Sequence, residues 1–233
     1  MRFLALLRKE LRESLPWMLL AAIILLAIGG FSLRAQAYLE QLNMNRYYSH
    51  LSPGSVAEPY WFTRYSPLRA ISLWLFFTSI GLGVALGVRH FWIPYFTRTW
   101  PFLLHRSVSR QTTLWAKLAA AAAALVVSLG AVWVGLYWYA CHPELFMLQP
   151  PVRVFVEGWL FIAIGFVVYL GAALVGLSEA RWYTTRIFGL AFATIVIFMT
   201  ILQWRLGWAF AAVIVGVVIL LSQIIDTFLN REF

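Results

Sequence analysis

The chain has 233 residues, of which 62% are hydrophobic and 12% charged, with a formal net charge of +9. A soluble domain is about 45–50% apolar and about 25% charged, so the composition excludes an ordinary globular protein and points to one whose solvent is lipid. The basic residues are scattered at the ends of apolar runs, with no basic stripe and no RNA-binding motif; anionic lipid headgroups are therefore the expected counterpart, and nucleic acid is not.

In chain order, Met1 to Ser14 places Phe3, Leu4, Leu7 and Leu11 at helical spacing, with Arg8, Lys9, Arg12 and Glu13 elsewhere around the wheel. This pattern predicts an interfacial amphipathic helix over 1–14. Ser14 can cap the next helix and Pro16 suits a first turn, so a bend is expected there. A plain extension of the first span fits the same residues. Glu10, Glu13 and the long apolar run that follows distinguish this start from a signal peptide, and the first span is expected to be retained.

Six apolar runs follow, at about 16–33, 71–88, 118–140, 158–177, 187–203 and 207–225, and none contains Asp, Glu, Lys, Arg or His. Each is expected to be a helix, because in lipid a helix satisfies its own backbone, and each reaches the roughly 17–25 residues that cross about 30 Å of hydrocarbon. Only Trp204-Arg205-Leu206 separates the last two, which fit either two crossings or a re-entrant hairpin.

The loop at 34–70 holds Tyr38, Tyr47, Tyr48, Tyr60, Trp61, Phe62 and Tyr65. Such rings sit at headgroup level, as a belt sealing the outer face or as a lid over a substrate. The loop at 89–117 holds five of the eighteen basic residues and no acidic one, which assigns it to the cytoplasm. With six spans the termini share that side. Arg34, Arg46, Arg64, Arg69, Arg153 and Arg205 fall opposite, and the other twelve basic residues fall with the termini.

Within the loop at 89–117, Phe102, Leu103 and Leu104 are apolar where polar residues are expected. Arg106 and Arg110 are four apart, so a short helix would set both guanidinium groups on one face beside that apolar patch. These five residues are the candidate contact for a soluble partner, lipid phosphate being the competing counterpart. Inside the spans, Gly83 and Gly87, and Ala172 and Gly176, are spaced by four. That spacing marks close helix packing within the subunit or at a dimer contact.

Catalytic chemistry has little to stand on. The single cysteine, Cys141, excludes an intrachain disulfide and a thiolate metal cluster. His50, His90, His105 and His142 all lie outside the apolar runs, and no His-Glu-x-x-His occurs. Gly176-Leu-Ser178 has the Gly-x-Ser of an intramembrane serine protease, yet no histidine follows residue 142 to act as its base. No Gly-x4-Gly-Lys-Ser/Thr loop is present to cradle a phosphate. Ion-coupled transporters keep ionisable groups at membrane depth, so work done by this chain is expected to draw on a separate energised subunit.

The opening Phe3-Leu-Ala-Leu-Leu-Arg-Lys-Glu-Leu-Arg-Glu13 resembles the Leu-Leu-Arg-Lys-Glu start of permease subunits of ABC-2 type ATP-binding-cassette transporters. Thr99-Trp-Pro-Phe-Leu-Leu-His-Arg-Ser-Val-Ser-Arg110, followed by Lys117, is similar to their Gly-Thr-x-x-Phe-Leu-Leu-x-x-Pro-Val-Ser-Arg and later lysine. Arg98 stands where relatives often have Gly, and Ser107 where they have Pro.

This resemblance implies an all-α integral membrane fold of the type V exporter kind: six transmembrane helices, an elbow helix at 1–14 and a cytoplasmic coupling helix within 89–117. It further implies a transport subunit, not an enzyme, with no cofactor or metal of its own. ATP and Mg would be held by two cytoplasmic ATPase subunits, and a second permease, identical or homologous, would complete the assembly in a prokaryotic inner membrane with both termini cytoplasmic. Export is the commoner direction in that family. The alternative is a non-transport scaffold or assembly factor whose basic loop docks a soluble partner.

Overall fold

The computed structural model describes residues 2–50, 67–97, 109–142, 150–177, 183–203 and 205–230, and every regular element among them is helical. Helix α1 spans Arg2–His50. Helix α2, Pro67–Gly87, continues through a π-helical turn at Val88–Trp92 into the short α3, Ile93–Phe96. Helix α4, Arg110–Leu125, likewise passes through a π-helical turn at Val126–Gly130 into α5, Ala131–Ala140. Helices α6, Val152–Leu177, α7, Tyr183–Leu202, and α8, Leu206–Asn230, complete the order.

Among the described residues, five helical stretches are long and apolar enough to cross a membrane, which is the architecture of a multi-pass membrane protein: Phe3–Leu39, Leu68–Trp92, Arg110–Ala140, Val152–Leu177 and Leu206–Leu229. The fifth run expected from sequence is shorter in its apolar part, Phe188–Leu202, about 22 Å at 1.5 Å per residue.

Helix α6 is the centre. It packs against α2, α7 and α8, and 83% of its most apolar window is buried. Helix α1 lies outside, against α4 and α2, and touches the bundle along a narrow stripe: Glu10, Ser14, Ala21, Leu25, Leu33 and Ala37 are buried. The intervening Leu15, Leu19, Leu20, Ile23 and Leu26 face outward, as a helix bathed in lipid requires.

The α2–α6 seam is close because glycines form it. A Cβ on Gly83 would collide with the carbonyl oxygen of Gly165, and one on Gly87 would come within 2.6 Å of the Ala172 methyl. Gly176 faces the Trp92 indole, so a side chain there would collide with it. Gly83, Gly87, Ala172 and Gly176 are all buried within this one chain, which leaves none of their faces open for a second subunit.

Three segment boundaries differ from the sequence expectation. No break separates 2–14 from the first span: α1 runs on through Pro16. Proline removes the hydrogen bond to the carbonyl four residues back, but packing of the residues on either side holds the helix, as in the plain extension. The loop expected at 34–70 is helical to His50 and again from Pro67, and its Tyr60, Trp61, Phe62 and Tyr65 lie outside the described residues. The loop expected at 89–117 is helical at 88–96 and from Arg110 onward, and its residues 98–108 lie outside the described residues.

Candidate functional site

Where α1, the π-turn after α2, the first turns of α4, and α6 meet, five polar side chains are buried together: Glu10, Ser14, His90, Lys117 and Tyr169. The backbone explains how His90 arrives there. In an α-helix the ring of Pro94 would clash with the carbonyl of His90, four residues earlier. The widened turn relieves this clash, Ile93 N–H reaching back five residues to the Val88 carbonyl. The extra residue turns His90 and Phe91 inward. Trp92 fixes the turn by donating from Nε1 to the Ala172 carbonyl at 2.9 Å.

Lys117 Nζ donates to Glu10 Oε1 at 2.9 Å, and the other carboxylate oxygen lies 3.7 Å from His90 Nε2. Ser14 does not cap a helix. Its hydroxyl donates to the Glu10 carbonyl at 2.8 Å, and its oxygen sits 3.2 Å from His90 Nε2. Because the serine proton is committed to the carbonyl, His90 must carry its proton on Nε2 and donate to Ser14 Oγ. His90 Nδ1 then accepts from the Tyr169 hydroxyl at 3.1 Å. That hydroxyl also lies 3.3 Å from the Lys117 carbonyl, so its one proton has two acceptors on two different helices.

Outside this core, Glu13 is shared by Arg89 at 3.4 Å and Lys9 at 3.7 Å. These pairs are partly exposed and add little energy. The buried pair differs: separating Glu10 from Lys117 would strand a charge away from water. The cluster therefore couples α1 to α4, while His90 and Tyr169 tie both to the α2–α6 seam.

The candidate partner-contact residues fall elsewhere. Phe102, Leu103, Leu104 and Arg106 lie outside the described residues. Arg110 opens α4 at the surface, behind Ser109, whose Oγ caps the helix by accepting from Thr112 N–H at 3.2 Å. Among the described residues no group of three or more His, Cys, Asp or Glu side chains converges; at the cluster, the Lys117 ammonium occupies the position a cation would take beside Glu10 and His90.

Sequence reading passed over Glu10, Ser14 and Tyr169 as partners and put His90 and Lys117 in a loop, because hydropathy delimits each apolar run just short of its ionisable flank. A signal was present. The inward stripe of α1 recurs at intervals of mostly four residues, and extending it back from Leu25 and Ala21 passes through Ser14 and Glu10.

No family model, curated protein or solved structure matches this chain.

Proposed function

We propose that this chain is the membrane-spanning permease subunit of an ATP-binding-cassette exporter of the ABC-2 type, driven by a separate cytoplasmic ATPase. The supporting observation is the 2.9 Å contact between Lys117 and Glu10. Glu10 belongs to the Leu-Leu-Arg-Lys-Glu opening, and Lys117 is the lysine that follows the Phe-Leu-Leu motif; the two stretches that resemble the family meet in a buried ion pair.

In this reading the termini and the segment between α3 and α4 are cytoplasmic, and ATP-driven closure of two ATPase subunits moves that segment. Helix α4 follows as its continuation, and the Glu10–Lys117 pair makes α1 follow α4. A rocking of outer helices against α6 is the class of motion required. A second permease, identical or homologous, completes the pathway.

The test is recovery of a Walker-type ATPase with the tagged chain. The cognate ATPase, encoded beside this gene, is expected to copurify as two membrane and two ATPase subunits, the isolated chain hydrolysing no ATP. Leu103→Asp with Arg106→Glu is expected to leave membrane insertion intact and weaken ATPase recovery by about 2–4 kcal/mol, the loss typical of central interface anchors. Undiminished recovery and coupled hydrolysis in that double variant would show that the loop is not the grip. Hydrolysis by the isolated, contaminant-free chain would overturn the assignment, and a stable complex indifferent to ATP would make the chain a scaffold.

A further inference from the structure

On the outside of the bundle, α1 and α2 leave an apolar groove of about 300 Å³ running from Trp17 to Ile28 on one helix and from Ala85 to Trp74 on the other. Its one hydroxyl, that of Thr78, is spent on the Trp74 carbonyl at 2.7 Å, and the indoles of Trp17 and Trp74 stand at its two ends, so the wall between them is apolar. Eleven helical steps make the groove about 16 Å long, roughly half of the ~30 Å hydrocarbon thickness and hence one leaflet.

The groove ends in charge. One turn beyond Trp17 and Ala85, Glu13 and Arg89 pair across the two helices at 3.4 Å, and Lys9 lies 3.7 Å from the same carboxylate. Two cations share one anion, which leaves a net positive mouth, and all three side chains are partly exposed. Arg89 Nε has no hydrogen-bond partner among the described residues. An apolar groove one leaflet long, opening at a cationic mouth, is complementary to a lipid with an acidic headgroup.

We propose that this groove is a binding site for an anionic phospholipid, with one acyl chain between α1 and α2 and the headgroup phosphate at Lys9 and Arg89. The occupant sits in the leaflet nearest the start of α1. A second copy of the chain, packing a helix ridge into the groove, is the competing occupant, and the experiment separates the two.

Native mass spectrometry of the full-length chain in detergent, titrated with palmitoyl-oleoyl phosphatidylglycerol against the matching phosphatidylcholine, tests the site. The wild type is expected to retain phosphatidylglycerol preferentially. Lys9→Gln and Arg89→Gln are each expected to reduce that preference about fivefold, the effect of one basic residue near an anionic surface. Gly81→Phe is expected to abolish retention while leaving the melting temperature unchanged, because a Cβ on Gly81 meets nothing within 4 Å and Gly81 lines the groove, so the ring fills the space of the acyl chain. Should that variant fail to fold, the two charge variants, at partly exposed side chains, still decide. Equal retention of the two lipids by the wild type, or unchanged preference in the charge variants, would overturn the proposal. So would a Gly81→Phe chain that keeps its lipid but changes from dimer to monomer, which would make the groove an interface between copies.

Discussion

Glu10 and Lys117 are 8% and 4% exposed, so their pairing is set against the cost of removing two charges from water. Such a pair adds little net stability over an apolar replacement, yet removing one partner alone costs about 3–5 kcal/mol. Lys117→Met is therefore expected to lower the melting temperature of the purified protein sharply, and Glu10→Gln with Lys117→Met to recover most of the loss. If the single and double variants melt together, the two side chains do not interact. Burial of the ion pair thus serves to join α1 to α4 more than to stabilise either. It was poorly legible in the sequence for a physical reason. Hydropathy averages over a window, and Glu10, His90 and Lys117 each sit where apolar residues on one side are balanced by Arg8, Lys9, Arg89 or Arg110 on the other. Burial here is decided one face at a time, which an average cannot register.

Helices α2 and α6 approach closely because Gly83 presents only a hydrogen to the Gly165 carbonyl, and that backbone cannot yield as a flexible side chain would. Gly83→Val is expected to destabilise by about 1–3 kcal/mol, the usual cost of overpacking, seen as a lower melting temperature. Gly30→Ala, where a Cβ meets nothing within 4 Å, should be neutral or slightly stabilising, since alanine is the better helix former by about 0.5–1 kcal/mol. Equal losses at both positions would mean that the seam is not what Gly83 serves. At this scale the sequence was largely readable. Apolar runs marked the helices, and the spacing of four at Gly83 and Gly87 lay on the face that meets Ala172. Punctuation misled. Pro16 reads as a boundary but is absorbed within α1, and the polar stretch after Arg34 reads as loop although its backbone stays helical to His50. Proline and polarity change the cost of a helix without forbidding it. At Pro94 the accommodation is the π-turn at 88–92, and that turn delivers His90.

For the whole molecule, the buried cluster fixes a polarity along the bundle. Glu10 near the start of α1, His90 beyond the end of α2, Lys117 in the first turns of α4 and Tyr169 late in α6 all lie toward one end. The start of α1, the end of α3, the start of α4 and the end of α6 then share a side of the membrane, whichever side that is. Charge chooses between the two. With the six crossings proposed above, α7 included, twelve of the eighteen basic residues fall on the side of the termini, and short basic loops resist translocation, so that side is expected to be cytoplasmic. Ser107→Cys in a Cys141→Ser background places the only thiol of the chain in the segment between α3 and α4, because Cys141 is the single native cysteine. An impermeant maleimide added to intact cells is expected to leave that thiol unmodified and to label it once the membrane is permeabilised. Labelling of intact cells would invert the molecule, put the Phe102–Leu104 patch out of reach of any cytoplasmic ATPase, and end the coupling reading along with the orientation.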